Sequence, residues 1–378
     1  MKRTLGGCLA LAILSLGSGC RTGPAPRSSA IRAIWVTRFD YRDADDVRSI
    51  LEACAGGGFN TVMFQVRGNG TAFYHSKLEP FAEELGGGDP TFDPLQLACA
   101  EARRLGLELH AWINVYPSWR GLEPPVDHGQ LYLSHPEWHW FDSRGRRQPL
   151  VENFYTSLNP CLPEVRAYLL EIVRELVSNY DLDGLHLDYL RFVDDLVPEE
   201  VDYPRDARTL SLYRAAGGLE PDEDPVSWKR WRAEQVTELL RSIRELTREI
   251  APGVLLSAAV GSEPDGPLGR HLRDSRRWAE EGLLDALFPM NYTNDAGQFA
   301  RRAEAWSRVE TRALIVTGIM LNPADRSLNT TLAQIRDSMG KSPHVCVFDY
   351  SYLFGPQGQP RRAALLAALR SLHNGPDS

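Results

Sequence analysis

Residues 163–188 read PEVRAYLLEIVRELVSNYDLDGLHLD. Over Pro163–Asn179 the apolar side chains return at helical spacing, whereas in Asp183-Gly184-Leu185-His186-Leu187-Asp188 the period falls to two, leucines alternating with polar residues. A helix leading into a short strand is the repeating unit of a parallel sheet, and the same grammar extends outward in both directions. Strands are predicted at Ile31–Thr37, Thr61–Val66, Glu108–Ile113, Gly184–Asp188, Val254–Val260, Ala286–Met290, Ala313–Gly318 and His344–Phe348. Helices are predicted at Ala44–Ala55, Pro94–Leu105, Pro163–Asn179, Val226–Ile250, Leu268–Glu281, Gly297–Val309, Leu328–Met339 and Pro360–Leu372. Eight such units fit an α/β fold, a (β/α)8 TIM barrel with long loop insertions after strands three and four, at Tyr116–Leu162 and Tyr189–Pro225. Both insertions leave the C-terminal ends of strands, the face on which barrels build active sites. An open doubly wound sheet is the alternative, but no GxGxxG follows the first strand, where a dinucleotide-binding fold would carry it.

With 43% hydrophobic and 24% charged residues over 378 positions, the chain has the composition and length to bury a barrel-sized core. Ahead of the barrel, Lys2 and Arg3 precede an apolar run from Leu5 to Leu16 and a small-residue exit, Gly17-Ser18-Gly19, before Cys20. That is the grammar of an export signal over residues 1–20. Its apolar run falls short of the about 20 residues of a membrane-spanning helix, and no later segment is longer, so the mature domain is expected to be water-soluble. Cys20 resembles the lipidation cysteine of a bacterial lipoprotein, with Gly17 where leucine is usual, and implies a membrane anchor. Residues 21–30 then form a flexible tether and residues 31–378 the barrel. Cys54, Cys99, Cys161 and Cys346 form no CxxC pair; buried free thiols are expected, with one disulfide as the alternative. A net charge of −8 argues against nucleic acid as a partner, and a neutral or cationic polymer is electrostatically easier.

Polar and aromatic residues crowd the last positions of the predicted strands. Strand one ends in Arg38-Phe39-Asp40, strand two in Gln65-Val66-Arg67, strand three in Trp112-Ile113-Asn114, strand six in Asn291-Tyr292 and strand eight in Asp349-Tyr350. Residues two apart share a face, which groups His110 with Trp112 and Asn114, and His186 with Asp188. A polar strand end often does no more than cap the following loop, but six strands ending this way point to a site. Asp188 stands out: the alternation sends it into the barrel, where an unpaired carboxylate is costly. Ion pairing with Arg38, Arg67 or Arg191 would make it structural. Catalysis is the other account, because an oxocarbenium-like transition state calls for negative charge beside the anomeric carbon. Glu263, Asp295 and Asp349 are candidates for a partner carboxylate, each also a plausible loop solvator. The aromatics Trp35, Trp112, Tyr116, Trp119, Trp138, Trp140, Tyr155, Tyr189 and Tyr292 lie on or beyond strands and offer stacking faces for sugar rings.

These segments together resemble the glycosyl-hydrolase-like 10 family of bacterial envelope proteins, over nearly all of residues 31–355. The resemblance rests on Arg32-Ala33-Ile34-Trp35-Val36, Phe64-Gln65-Val66-Arg67 with Ala72-Phe73-Tyr74, and Gly106-Leu107-Glu108-Leu109-His110-Ala111-Trp112-Ile113-Asn114. It continues through His135-Pro136-Glu137-Trp138, Leu158-Asn159-Pro160, Asp183 to Arg191, and Pro289-Met290-Asn291-Tyr292. The family implies a barrel related to glycoside hydrolases, some members being similar to enzymes that cleave peptidoglycan glycan strands. Its strand-four motif falls on Asp188. Glu263 matches no family motif, and Asn69 and Thr71 stand where related chains tend to be acidic or to carry proline.

The expected activity is therefore glycoside hydrolysis in the cell envelope, with no cofactor and with Asp188 as general acid or nucleophile. Arg38, Asp40, Gln65, Arg67, His110, Trp112, Asn114, Tyr116, His186, Tyr189, Arg191, Asn291 and Tyr292 are expected to line the substrate cleft. A carbohydrate-binding barrel without turnover is the first alternative. A metal-dependent hydrolase using His110, His186 and Asp188 is the second, although no HExxH motif or cysteine cluster supports it.

Overall fold

A computed structural model of the protein describes residues 30–86, 92–193, 195, 201–265, 268, 271–322 and 327–371. The export signal, Cys20 and the tether up to residue 29 lie outside them. The barrel strands are Arg32–Val36, Thr61–Arg67, Glu108–Asn114, Gly184–Asp188, Leu255–Val260, Ala286–Pro289, the pair Leu314–Ile315 and Thr317–Met320, and Val345–Phe348. All run parallel, each beside its neighbour in sequence, and the last returns to the first through Arg32–Val345, Ala33–Cys346 and Ile34–Val347. The TIM-barrel architecture read from the alternating pattern is the one observed.

Strand alternation sorts the core into two parts. Ala33, Trp35, Met63, Trp112, Leu255, Phe288 and Cys346 fill the inside of the barrel. Ile34, Val36, Val62, Phe64, Leu185, Leu187 and Leu256 belong to the larger apolar cluster shared with the helices. Leu185 and Leu187 thus face outward and His186 inward, as the period of two requires. Helix starts are fixed by side chains: Asp43 accepts from the amides of Asp45 and Asp46 ahead of Ala44–Gly57, and Asp93 from that of Gln96 ahead of Pro94–Leu105.

Two segments differ from expectation. The seventh strand, read as one run over Ala313–Gly318, is broken at Val316: Leu314–Ile315 pairs with the sixth strand and Thr317–Met320 with the eighth. A Met290–Gly318 bridge holds the second half against the sixth strand as well. Gly318 permits that approach, since a Cβ there would lie 2.8 Å from the Pro289 carbonyl oxygen and 3.1 Å from the Trp35 ring. The helix expected over Leu268–Glu281 is found at Ser275–Glu280, after Leu272 has taken a φ of 48°. The insertion after strand three forms an antiparallel hairpin, Pro117–Arg120 against Tyr155–Ser157, and the one after strand four carries the helix Ala207–Ala215. Cys54, Cys99, Cys161 and Cys346 are all free thiols. Among the described residues no helix is long and apolar enough to cross a membrane.

Candidate active site

At the C-terminal ends of the strands the barrel opens into a cleft of about 250 Å³. Trp35, Trp112 and Phe348 give it an aromatic floor, and Arg38, Gln65, Asn114, Tyr155, Asp188, Tyr189, Arg191 and Tyr292 stand around it. The floor is fixed from below. Trp35 meets Phe288 and Phe348 edge-on at 6.0 Å, and its indole Nε1 donates to His186 Nε2 at 3.1 Å. An indole N–H only donates, so Nε2 carries no proton, and the proton on Nδ1 goes to Ser257 Oγ at 2.9 Å. Burial pushes the His186 pKa down to about 3, which keeps the ring neutral. With both ring nitrogens engaged, His186 serves the floor, and the ligand set His110, His186 and Asp188 is not assembled. Among the described residues no group of three or more His, Cys, Asp or Glu is placed to hold a metal ion.

One wall is a relay of amides. Arg38 donates its backbone N–H to Gln65 Oε1 at 3.0 Å, Gln65 Nε2 donates to Asn114 Oδ1 at 3.2 Å, and Asn114 Nδ2 donates to the Gly68 carbonyl at 3.1 Å. Every partner fixes the orientation of the next, so Gln65 and Asn114 present defined atoms to the cleft. The Arg38 guanidinium lies against Gly68, where a Cβ would come within 2.4 Å of Nη1. It donates to Tyr155 Oη at 3.2 Å and pairs with Glu84 at 3.3 Å.

Asp188 ends strand four, beside Asn114 in register, and is partly exposed at the cleft. Its Oδ1 accepts the backbone N–H of Tyr189 at 2.7 Å, from a residue held at φ 49°. None of the three arginines that could have made it a structural ion pair does so. Arg67 is paired with Glu79, Arg38 with Glu84, and Arg191 with Asp195 at 2.7 Å. Burial raises the pKa of Asp188; the Tyr189 amide and then the more distant charges of Arg191 and Arg273 oppose that rise without cancelling it. A carboxyl shifted upward in this way can hold a proton and deliver it, which is what a general acid needs.

Several residues expected in the cleft are placed elsewhere. Arg67 is fully buried: a bulge between Gln65 and Arg67 turns it out of the barrel, where Nε and Nη2 meet the Glu79 carboxylate at 2.7–3.0 Å and Nη1 reaches the carbonyls of Asn114 and Val115. His110 lies below the floor, its ring occupying the space that Gly184 leaves by lacking a Cβ. Tyr116 is buried in the outer core. Asn291 donates to the Phe299 carbonyl at 3.0 Å and does not line the cleft, although its neighbour Tyr292 does. Asp40 folds back onto Thr37, accepting from its N and Oγ1 at 2.6 and 2.9 Å.

The three candidate partner carboxylates are also outside. Glu263 is exposed and pairs with Arg302 at 3.0 Å in a separate depression. Asp295 caps the helix Ala296–Ser307, and Asp349 caps Tyr350–Phe354, burial raising its pKa. Asp188 is thus the one carboxylate among the described residues that line the cleft. Thr37, Phe39, Tyr155, Ala259, Met290 and Phe348 line it too. Of these Thr37, Met290 and Phe348 are the last residues of predicted strands, Phe39 stands in the strand-one ending Arg38-Phe39-Asp40, and Tyr155 is an aromatic of the insertion.

Residues 30–335 match the profile of the family described as glycosyl hydrolase-like 10. The chain is similar to the glycosyl hydrolase DigH of Escherichia coli O6:H1, 27% identical over 346 residues that cover 80% of this chain and 74% of the relative. Among solved structures it resembles the PgaB (BpsB) glycoside hydrolase domain from Bordetella bronchiseptica, with a TM-score of 0.64 at 15% identity over 89% of this chain and 99% of that one. The catalytic domain of β-amylase from Paenibacillus polymyxa gives a TM-score of 0.60 at 10% identity over 91% and 98%. Identities this low speak to the barrel and leave the chemistry to the residues themselves. On the extent of the sequence match, the chain belongs to the glycosyl hydrolase-like 10 family.

Proposed function

We propose that the chain hydrolyses glycosidic bonds in a polysaccharide of the cell envelope, with Asp188 as the proton donor. The observation that carries this is a partly buried carboxyl, without an arginine ion pair among the described residues and shifted toward its protonated form, standing over an aromatic floor. Trp35, Trp112 and Phe348 suit the apolar face of a sugar ring, and the relay through Gln65 and Asn114 suits its hydroxyls. A cleft with one carboxylate fits a substrate that brings its own nucleophile, as a 2-acetamido sugar does. The acetamido carbonyl oxygen attacks the anomeric carbon as the bond to the leaving oxygen breaks, and Asp188 passes its proton to that oxygen. Water then opens the cyclic intermediate and returns a proton to Asp188. Peptide-free peptidoglycan strands, rich in 2-acetamido sugars, are the substrate to try first. The export signal and Cys20 support a lipid-anchored place in the envelope.

The lone carboxylate also favours a second reading, a barrel that binds glycan without cleaving it. Release of reducing ends from peptide-free strands separates the two. The parent should release them and Asp188→Asn should be slower by at least about 100-fold, the contribution expected of a positioned acid. A mutant that cleaves like the parent removes Asp188 from the chemistry. A parent that binds the strands and releases nothing installs the second reading.

A further inference from the structure

Beside the Asp188 cleft lies a second depression of about 320 Å³. The two share Arg38, whose Nη1 side touches Tyr155 of the first and whose Nε faces Glu84 of the second. One guanidinium is therefore the partition between them, and Phe39, 52% exposed, stands against it with the Arg38 carbon 4.2 Å from its ring. The second depression holds two polar groups left without partners. Asn69 and Thr71 line it at 4% and 3% exposure, and neither Asn69 Oδ1 nor Thr71 Oγ1 has a hydrogen-bond partner among the described residues.

Their loop is firmly held. Gln130 Nε2 donates to the Asn69 carbonyl at 2.9 Å, and Gly70 at φ 73° packs where a Cβ would meet the Ser118 carbonyl at 2.7 Å. A fixed loop that leaves two buried oxygens unsatisfied raises the free energy of the folded protein unless something else supplies their partners.

The rest of the lining says what that is. Trp119 offers a ring held in place by its own Nε1, which donates to the Glu123 carbonyl at 2.8 Å. Glu83 and Glu84 add acceptors, and with Arg38 and Arg120 the charges balance, which favours a neutral ligand over an anion. Acceptors and a hydroxyl beside an aromatic plate match a ring that carries several hydroxyl donors on an apolar C–H face.

We infer that this depression is a second sugar subsite, which takes a neutral hexose or N-acetylhexosamine ring of the chain whose scissile bond lies at Asp188. It rests on the glycosidase reading for what occupies the first cleft, but its test needs no turnover. Binding is measured by calorimetry in the Asp188→Asn protein with N-acetylglucosamine oligomers of two and six units. The hexamer should bind at least about tenfold tighter than the dimer, and Trp119→Ala or Thr71→Val should each remove most of that difference. Thr71→Val deletes a hydroxyl that has no partner among the described residues, so its melting temperature should stay level or rise while hexamer affinity falls, a combination that a structural role for Thr71 would not give. Equal affinity for dimer and hexamer, or a preference for length that survives both substitutions, overturns the subsite, as does failure of both oligomers to bind. Length preference without hydrolysis by the parent sinks the glycosidase reading and leaves the subsite standing.

Discussion

Among the described residues Glu79 is the sole carboxylate partner of a fully buried arginine, Arg67, and replacing it should be among the most damaging changes outside the cleft. Its side chain and that of Arg67 are both 0% exposed, and its oxygens take Arg67 Nε and Nη2 as well as Tyr168 Oη at 3.0 Å. Burial pulls the Arg67 pKa down and Glu79 more than restores it, so the guanidinium stays charged in the folded protein. Glu79→Leu leaves that charge with only the Asn114 and Val115 carbonyls to meet it. Losing one member of a buried pair costs about 3–5 kcal/mol. With an unfolding entropy of about 2.1 cal/mol/K per residue, a folded domain of roughly 340 residues loses about 4–7 °C in melting temperature. Urea denaturation followed by far-ultraviolet circular dichroism reads the first figure and a thermal melt the second. The double change Arg67→Met with Glu79→Leu should recover most of the loss, because an apolar pair of similar volume carries no stranded charge. If Glu79→Leu alone lies within about 1 kcal/mol of the parent, the carbonyls were enough and the pair is not what anchors the loop.

Asp188→Asn should gain stability relative to the parent as pH rises: a carboxyl whose folded pKa is raised favours folding while protonated and loses that contribution from the ordinary aspartate range up through its folded pKa. Asp40, pushed up to about 6 by burial, acts in the same window, so the difference between the two proteins is the quantity to follow; a parent that gains on the mutant would mean that a cation holds Asp188 ionised. Gly68→Ala should drive the Arg38 guanidinium from its place, costing about 1–3 kcal/mol and weakening glycan binding, whereas unaltered binding would show Arg38 to be dispensable. Cys20→Ser should move the protein from the membrane to the soluble fraction with its melting temperature kept, and equal membrane association of both forms would refute the anchor.

The period-two and helical patterns carry the barrel because each strand packs on both faces, so in and out are written into the sequence. They do not carry the break at Val316, where the chain changes hydrogen-bond partner without changing its apolar character. The same limit governs the site. Gln65, Asn114 and Asp188 follow from alternation and do line the cleft. Arg67, two positions beyond Gln65, should share its face, but the bulge between them reverses it, and nothing in Gln65-Val66-Arg67 announces a bulge. His110 and His186 point inward as read; alternation gives direction and not depth, and both lie at or below the aromatic layer. The partner carboxylates failed for another reason: Asp295 and Asp349 are spent on helix caps, a role as common for aspartate after a strand as catalysis is rare.

The divided seventh stave also gives the barrel a seam. Its ladder to the sixth strand is confined to Ala286–Leu314 and Leu287–Ile315, with the single Met290–Gly318 bridge beyond the break, against four paired positions on its other side. Deuterium should therefore enter the barrel there first, reaching the amides of Leu314 and Val316, which bond to the Asp285 and Leu287 carbonyls, before those of the central second and third strands. A cylinder that unzips along one line has, in effect, a beginning and an end. The seam lies between the sixth and seventh staves, across the mouth from the amide relay that holds Gln65 and Asn114, so the wall facing the sugar can stay ordered while the far side breathes.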